Sequence, residues 1–264
     1  MNIKRYHVLD SFRGLCAVAI VIHHLNIVGS ISENVFFINA DVFVDFFFVL
    51  SGFVLSVSNR DIQPRKFLIS RVFRLFPLHI AMLIVFLCLE LAKYIGSTKG
   101  LHFSQVPFSG KNALDQIIPN LFLVQSWSES FRHTSFNFPS WSISVELFLY
   151  MSFIIYAFFT RPSIVFGFSF CILGALLLFF DVLSVHLAKG VFCFYFGVCV
   201  SEMHRKISVL NMNKGLASLL EFVVLGLVVI LIFFKSYIVG SSLFIFILFV
   251  ITFGMTIFIY SSEM

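Results

Sequence analysis

Two residues of an early apolar stretch are spaced to do chemistry together. Arg13 opens the run that follows Leu9-Asp10-Ser11-Phe12, and His24 lies near its far end with His23 beside it. Read as one helix, the steps from Arg13 to His24 advance ~100° each and end ~20° from the starting face, about 16 Å along the axis. His23 points ~80° away from Arg13 by the same count. Arg13 and His24 are therefore expected to face one cavity, and His23 a different direction. Ionisable groups inside an apolar helix are costly to bury, so they are read first as functional. Imidazole suits proton transfer near neutral pH. Asp10, three residues before Arg13, is placed to pair with it.

Three further groups stand out. In Asp41-Val42-Phe43-Val44-Asp45-Phe46-Phe47-Phe48-Val49-Leu50-Ser51-Gly52-Phe53, the residues Asp45, Gly52 and Ser56 fall within ~20° of one helical face. Gly52 permits close approach of a ligand or of another helix, so this stripe is either a binding face or a packing face. Arg71 and Arg74, three apart, share a face, and paired guanidiniums suit phosphate recognition; ordinary positive-inside charge is the plainer alternative. The segment Asn137-Phe138-Pro139-Ser140-Trp141-Ser142-Ile143-Ser144-Val145-Glu146 starts a helix with Ser140 or Ser142 as its expected N-cap. Glu146 then lies one to two turns inside, on the face of Ser142. A carboxylate there needs a partner or a wet cavity; His24 at similar depth is the functional candidate, and purely structural pairing is the other. His7, His102, His133 and His204 read as loop or interface residues, and His79 and His186 as span-end residues. No His, Cys and carboxylate grouping has metal-ligand spacing, and there is no phosphate-binding glycine loop.

The elements that must hold these groups are membrane helices. Of 264 residues, 59% are apolar and 12% charged, against about 45–50% and about 25% in soluble domains. The fold class is all-α: one polytopic helix bundle over residues 1–264. Apolar stretches long enough to span a bilayer lie near 12–30, 38–58, 75–95, 141–160, 163–180, 186–203, 216–234 and 240–260, which makes eight. Lys4, Arg5, Arg60, Arg65, Lys66, Arg161, Arg205, Lys206 and Lys214 fall on one side if the N-terminus is cytoplasmic. Lys99, Lys111 and Arg132 are left on the other. Ala17-Val18-Ala19 fits a signal-cleavage pattern, but the apolar run continues past it, so an uncleaved first span is expected. The connection 96–140 is the long polar segment; residues 113–126 are expected to form an interfacial helix. Trp127, His133, Phe136 and Phe138 nearby are either a sugar-stacking set or an aromatic belt. Cys16, Cys88, Cys171, Cys193 and Cys199 sit in apolar runs and read as packing residues. The formal charge of +5 is scattered through short loops, which excludes a nucleic-acid footprint.

Taken in order, Leu9-Asp10-Ser11-Phe12-Arg13-Gly14 leading to His24, Phe46-Phe47-Phe48-Val49-Leu50-Ser51-Gly52-Phe53, Arg71-Val72-Phe73-Arg74-Leu75-Phe76-Pro77-Leu78 and Trp141-Ser142-Ile143-Ser144-Val145-Glu146 resemble the membrane acyltransferase-3 family. These are bacterial O-acyltransferases that modify cell-surface glycans. The resemblance covers about residues 9–150 and implies an acyl-CoA donor, usually acetyl-CoA, used as a substrate with no permanently bound cofactor. It implies a hydroxyl acceptor on a cell-surface carbohydrate or lipid-linked glycan, and an enzyme embedded in the lipid of the bacterial cytoplasmic membrane. It carries over a catalytic role to His24 with Arg13 and Glu146. Donor contact falls to Arg71, Arg74, Ser51 and Gly52, with Asp10, Asp45, Trp141 and Ser142 supporting. The family has about ten spans, so a C-terminal pair is expected to be missing here. The rival expectations are a transporter using the same ionisable residues, for which no internal repeat is visible, and an inactive short relative.

Overall fold

Apolar stretches become helices here because each is bounded by polar turns and keeps its backbone hydrogen bonds within itself. The structure, a computed structural model, describes residues 7–25, 27–58, 63–131, 135–159, 163–207, 214–235 and 242–262. Lys4, Arg5, Arg60, Arg132, His133 and Arg161, used above, lie outside the described residues. The helices are α1 His7–His23, α2 Val35–Ile38, α3 Phe43–Ser58, α4 Pro64–Thr98, α5 Ile117–Leu121, α6 Ser140–Phe159, α7 Ile164–Phe180, α8 Val185–Ile207, α9 Lys214–Phe234 and α10 Ser242–Ser262. No strand occurs among the described residues. Every expected apolar stretch overlaps one of the longer helices. Among the described residues, five segments are long and apolar enough to cross a membrane: Ala40–Ser58, Pro64–Thr98, Ser140–Ala157, Val185–Ile207 and Leu243–Ser261. Phe179 and Phe222, three-quarters exposed at 75% and 76%, present apolar surface outward, as a lipid-facing side requires.

Two boundaries differ from the sequence expectation. Helix α1 stops at His23 rather than continuing toward residue 30. The His24 N–H is shared between the Ile20 and Val21 carbonyls at 3.2 and 3.1 Å, the three-centre bond common at a helix end. The chain then turns through Gly29, whose φ of +78° is open to glycine without a Cβ penalty. Helix α4 begins before the expected start near residue 75, with Pro64 in its first turn where a missing N–H costs nothing. Its 35 residues make a rod of about 52 Å, well beyond a hydrocarbon core of about 30 Å. Part of α4 must therefore project out of the apolar layer, and the half bearing Arg65, Lys66, Arg71 and Arg74 is the part suited to do so.

The chain divides into two units. The first comprises Met1–Arg60, Pro162–Leu173 and Val191–Met264. Its tightest packing is a glycine-on-backbone crossing of α3 with α8. A Cβ built on Gly52 would lie 1.8 Å from the Phe194 carbonyl oxygen, and one on Gly197 would lie 1.9 Å from that of Val49. Farther along the same face, Ser201 Oγ donates to Ser56 Oγ at 2.6 Å. Asn39, buried, donates from Nδ2 to the Ile232 carbonyl at 2.9 Å, closing the end of α9. Phe46 and Phe253 pack edge to face with centroids 5.5 Å apart.

The second unit comprises Asp61–Arg161 and Gly174–Gly190. Helix α4 packs on α6, and the connection between them folds over its own polar interior. Buried Glu90 receives Lys93 Nζ at 2.7 Å, Asn112 Nδ2 at 2.8 Å and the Phe108 N–H at 3.1 Å. His79 donates from Nε2 to the Asn120 carbonyl at 2.7 Å. The expected interfacial helix over 113–126 is replaced by a short 3-10 turn, Leu114–Gln116, and the five residues of α5. Leu123, in the left-handed region at φ 56°, ends that helix.

The crossing of α3 on α8 generates a prediction. Gly197→Ala places a methyl group against backbone that cannot rotate away. It should lower stability by about 1–3 kcal/mol, read as a fall in the thermal midpoint of the purified full-length protein in detergent. An unchanged midpoint would contradict the crossing as described.

Candidate active site

The second unit assembles the arginine pair and the carboxylate. Tyr150 lies four residues after Glu146 on α6, so the two share a face, and the Tyr150 hydroxyl donates to Glu146 Oε1. The Arg71 guanidinium sits over the Tyr150 ring at 5.1 Å and the Phe67 ring at 4.9 Å. Phe67 and Tyr150 meet edge to face at 5.9 Å. Both Arg71 and Arg74 are near enough for their charges to act on Tyr150. Arg71 Nε is buried with no hydrogen-bond partner among the described residues. Such an N–H is expensive unless something accepts from it, and an anionic ligand is a suitable acceptor. Arg74 is exposed.

The opening of α6 differs from the expected cap. Ser140 Oγ donates back to the Asn137 carbonyl at 2.7 Å, and Ser142 Oγ to that of Pro139 at 3.0 Å. The hydroxyls therefore act as donors toward the preceding turn. Trp141 stacks at a tilt on His186, centroids 4.3 Å apart. Trp127 Nε1 donates to the Ser144 carbonyl at 3.0 Å, which fixes that indole as a structural clamp. Phe136 is buried and its N–H donates to Asn112 Oδ1 at 2.9 Å, so it offers no open stacking face.

The first unit holds the other residues. Arg13 Nη1 donates to Asp10 Oδ1 at 3.0 Å. His24, exposed, lies one position beyond α1 with its ring edge to face on His23, centroids 4.9 Å apart. Desolvation where the ring is covered, together with the neighbouring His23, lowers the His24 pKa from its ordinary value, and Asp41 works against that shift. Asp41 in turn accepts from Lys235 Nζ at 2.6 Å. His23 lines a cavity of about 310 Å³ together with Ile27, Val28, Ser32, Glu33 and Ile38; neither Arg13 nor His24 is among its lining residues. The helical projection turned His23 away from the functional face, and the chain's turn after α1 builds a cavity on it. Gly52 is closed off by the α8 backbone, so it is a packing glycine, and the donor role expected for it is withdrawn. Ser51 and Asp45 are half-buried on α3.

Among known proteins, a family profile described as an acyltransferase domain matches residues 6–264. The chain belongs to the acyltransferase-3 family. The acyltransferase MdmB of Streptomyces mycarofaciens is 34% identical over 132 residues, which is 49% of this chain and 29% of that protein. The chain thus spans less than a third of that curated relative's length. No solved structure matches it. With five helices fit to span a bilayer, this acyltransferase-3 chain is a membrane protein. Two of its structurally central residues escaped the sequence reading. Tyr150 carried a usable signal, its four-residue spacing from Glu146; His186 carried none, because its contact with Trp141 is remote in sequence.

The pairing inside the second unit can be tested. Tyr150→Phe keeps the ring under Arg71 but leaves Glu146 without the hydroxyl it binds. It should cost about 1–3 kcal/mol, seen as a lower thermal midpoint; an unchanged midpoint would contradict the pair.

Proposed function

We propose that this protein is a membrane O-acyltransferase, moving an acyl group, most simply acetyl, from acyl-CoA to a hydroxyl of a cell-surface carbohydrate. The observation that carries the reading is the Arg71 guanidinium, resting on two rings with a buried N–H unclaimed, beside Arg74 and the Tyr150–Glu146 pair in a chain of this family. Coenzyme A carries several phosphates, and a guanidinium pair binds phosphate in a bidentate way. The rings hold Arg71 in place, so less side-chain freedom is lost on binding. Distribution of Lys and Arg supports a cytoplasmic N-terminus, which puts the charged half of α4 on the side where acyl-CoA is made.

In this reading the acceptor oxygen attacks the thioester carbonyl and His24 takes its proton. Collapse of the tetrahedral adduct breaks the C–S bond, and the proton passes to the departing coenzyme A sulfur. The alternative course, acyl transfer first to the imidazole and then to the acceptor, uses the same residue as nucleophile. Arg13, steadied by Asp10, offers positive charge to the anionic donor. Trp141 and Ser142 support the start of α6, and Ser51 and Asp45 the polar side of α3. Glu146 keeps the arginine cluster electrically balanced.

His24→Ala should abolish label transfer from radioactive acetyl-CoA to host glycan while leaving the protein inserted in membranes. Full transfer by that variant would sink the assignment. Because His24 must be neutral to accept a proton and its pKa is lowered, activity should rise with pH along a limb centred below the ordinary imidazole value of about 6.5 and stay flat above it. Asp41→Asn removes the charge that holds the pKa up, so the limb should move to still lower pH.

A further inference from the structure

We infer that the cavity at the end of α1 is the acceptor subsite, taking an uncharged polyhydroxylated ligand, one hydroxyl of which is held at His23 Nε2 beside the hydroxyl that reacts. The inference rests on the acyl-transfer reading above and goes beyond it in naming where the acceptor sits and which side chain orients it. His23 Nδ1 lies 2.9 Å from the Phe37 carbonyl oxygen. A carbonyl only accepts, so Nδ1 carries the proton, and in the neutral ring Nε2 is left with the lone pair. The tautomer is thus set by the backbone of α2. A hydroxyl entering the cavity finds an acceptor at Nε2.

The rest of the lining selects the ligand class. Ser32 and Glu33 add a hydroxyl and a carboxylate, and Ile27, Val28 and Ile38 supply apolar wall. Carboxylate and imidazole lone pairs accept from hydroxyl groups, and the aliphatic wall suits the C–H face of a sugar ring. No Lys or Arg is among the six lining residues, and the Glu33 charge repels phosphate. The cavity therefore disfavours coenzyme A. Its volume of about 310 Å³ lies at the small end of the range of about 300–1,000 Å³ for small-molecule sites.

The walls are built in advance. Ser30 caps the turn Ile31–Glu33 by accepting from the Ser32 N–H at 3.2 Å, and Ser30 Oγ and Ser32 Oγ lie 2.7 Å apart. Asn34 Oδ1 caps α2 by accepting from the Phe36 N–H at 2.9 Å. These bonds fix both the strip carrying Ser32 and Glu33 and the carbonyl that sets the His23 tautomer. Little ordering is left for the ligand to induce.

The test uses the purified full-length protein in nanodiscs, radioactive acetyl-CoA, and membranes of the cells that carry the gene as acceptor, titrated by their hexose content. Three variants are compared with wild type: His23→Ala, His23→Gln and Ile38→Trp, the last adding bulk to the cavity wall. Loss of one hydrogen bond to the acceptor should raise its apparent KM about tenfold in His23→Ala. His23→Gln, which restores an acceptor atom, should recover part of that loss, and Ile38→Trp should raise the KM at least as much. Coenzyme A affinity, measured by itself, should stay within about twofold in all three, which also verifies that they are folded. If the wild type labels no glycan, the acyl-transfer reading fails. If it labels glycan and the variants keep its acceptor dependence, or lose coenzyme A affinity in step with it, the subsite is overturned.

Discussion

A charge carried on an apolar helix has to find a partner close by, and that constraint organises this protein. Arg13 takes Asp10, Lys93 takes Glu90, Glu202 takes Arg205, Asp41 takes Lys235 and Glu146 takes the Tyr150 hydroxyl. Three of the four ion pairs join residues three apart on one helix, so they form as the helix forms and ask nothing of the tertiary fold. The fourth, Lys235 with Asp41, ties the end of α9 to the turn before α3. Arg71 is satisfied differently, by two aromatic faces, which stabilise a cation without consuming its N–H groups. A guanidinium held that way remains able to donate, whereas one locked in a bidentate carboxylate pair would not.

Backbone approach supplies the second layer of specification. Lipid tails are as apolar as leucine, so helices in a bilayer gain little from hydrophobic sorting and rely on close packing. The reciprocal contacts of Gly52 and Gly197 with Val49 and Phe194 bring Cα hydrogens against carbonyl oxygens, a weak but repeated attraction. The Ser56–Ser201 bond extends the same seam. Among the described residues, α1 and α10 pack on α3, and α9 packs on α10 and α2.

The helices were legible because length and hydropathy are properties of a segment alone. Their ends were less so. The sequence from Leu25 to Val28 remains largely apolar, and nothing in its periodicity reports that the chain turns at His24; the turn follows from Gly29 and from the capped loop beyond it. The consequence is chemical, because the same turn that ends α1 gives His23 a cavity that a continuous helix would not have formed. Likewise the expected helix over 113–126 has the right composition, yet its buried polar side chains find other partners: Gln116 donates to Asp115, Asn120 to the Gln116 carbonyl and Ser135, and Gln125 to Ser140. The Arg71–Arg74 face was readable from spacing, while its partner rings required the packing of α4 on α6.

Adjacent histidines at the end of α1 need not compete for one role. The Phe37 carbonyl holds a proton on His23 Nδ1, which makes that ring an acceptor at its far nitrogen whenever it is neutral. A second charge beside it would be repelled, and this is the direction in which His23 acts on His24. Desolvation and this repulsion lower the His24 pKa, with Asp41, itself tied to Lys235, limiting how far His24 loses its affinity for a proton. In the proposed reading one imidazole orients one hydroxyl of the acceptor and the other receives the proton of its neighbour, a division of labour that the two rings, with centroids 4.9 Å apart, allow.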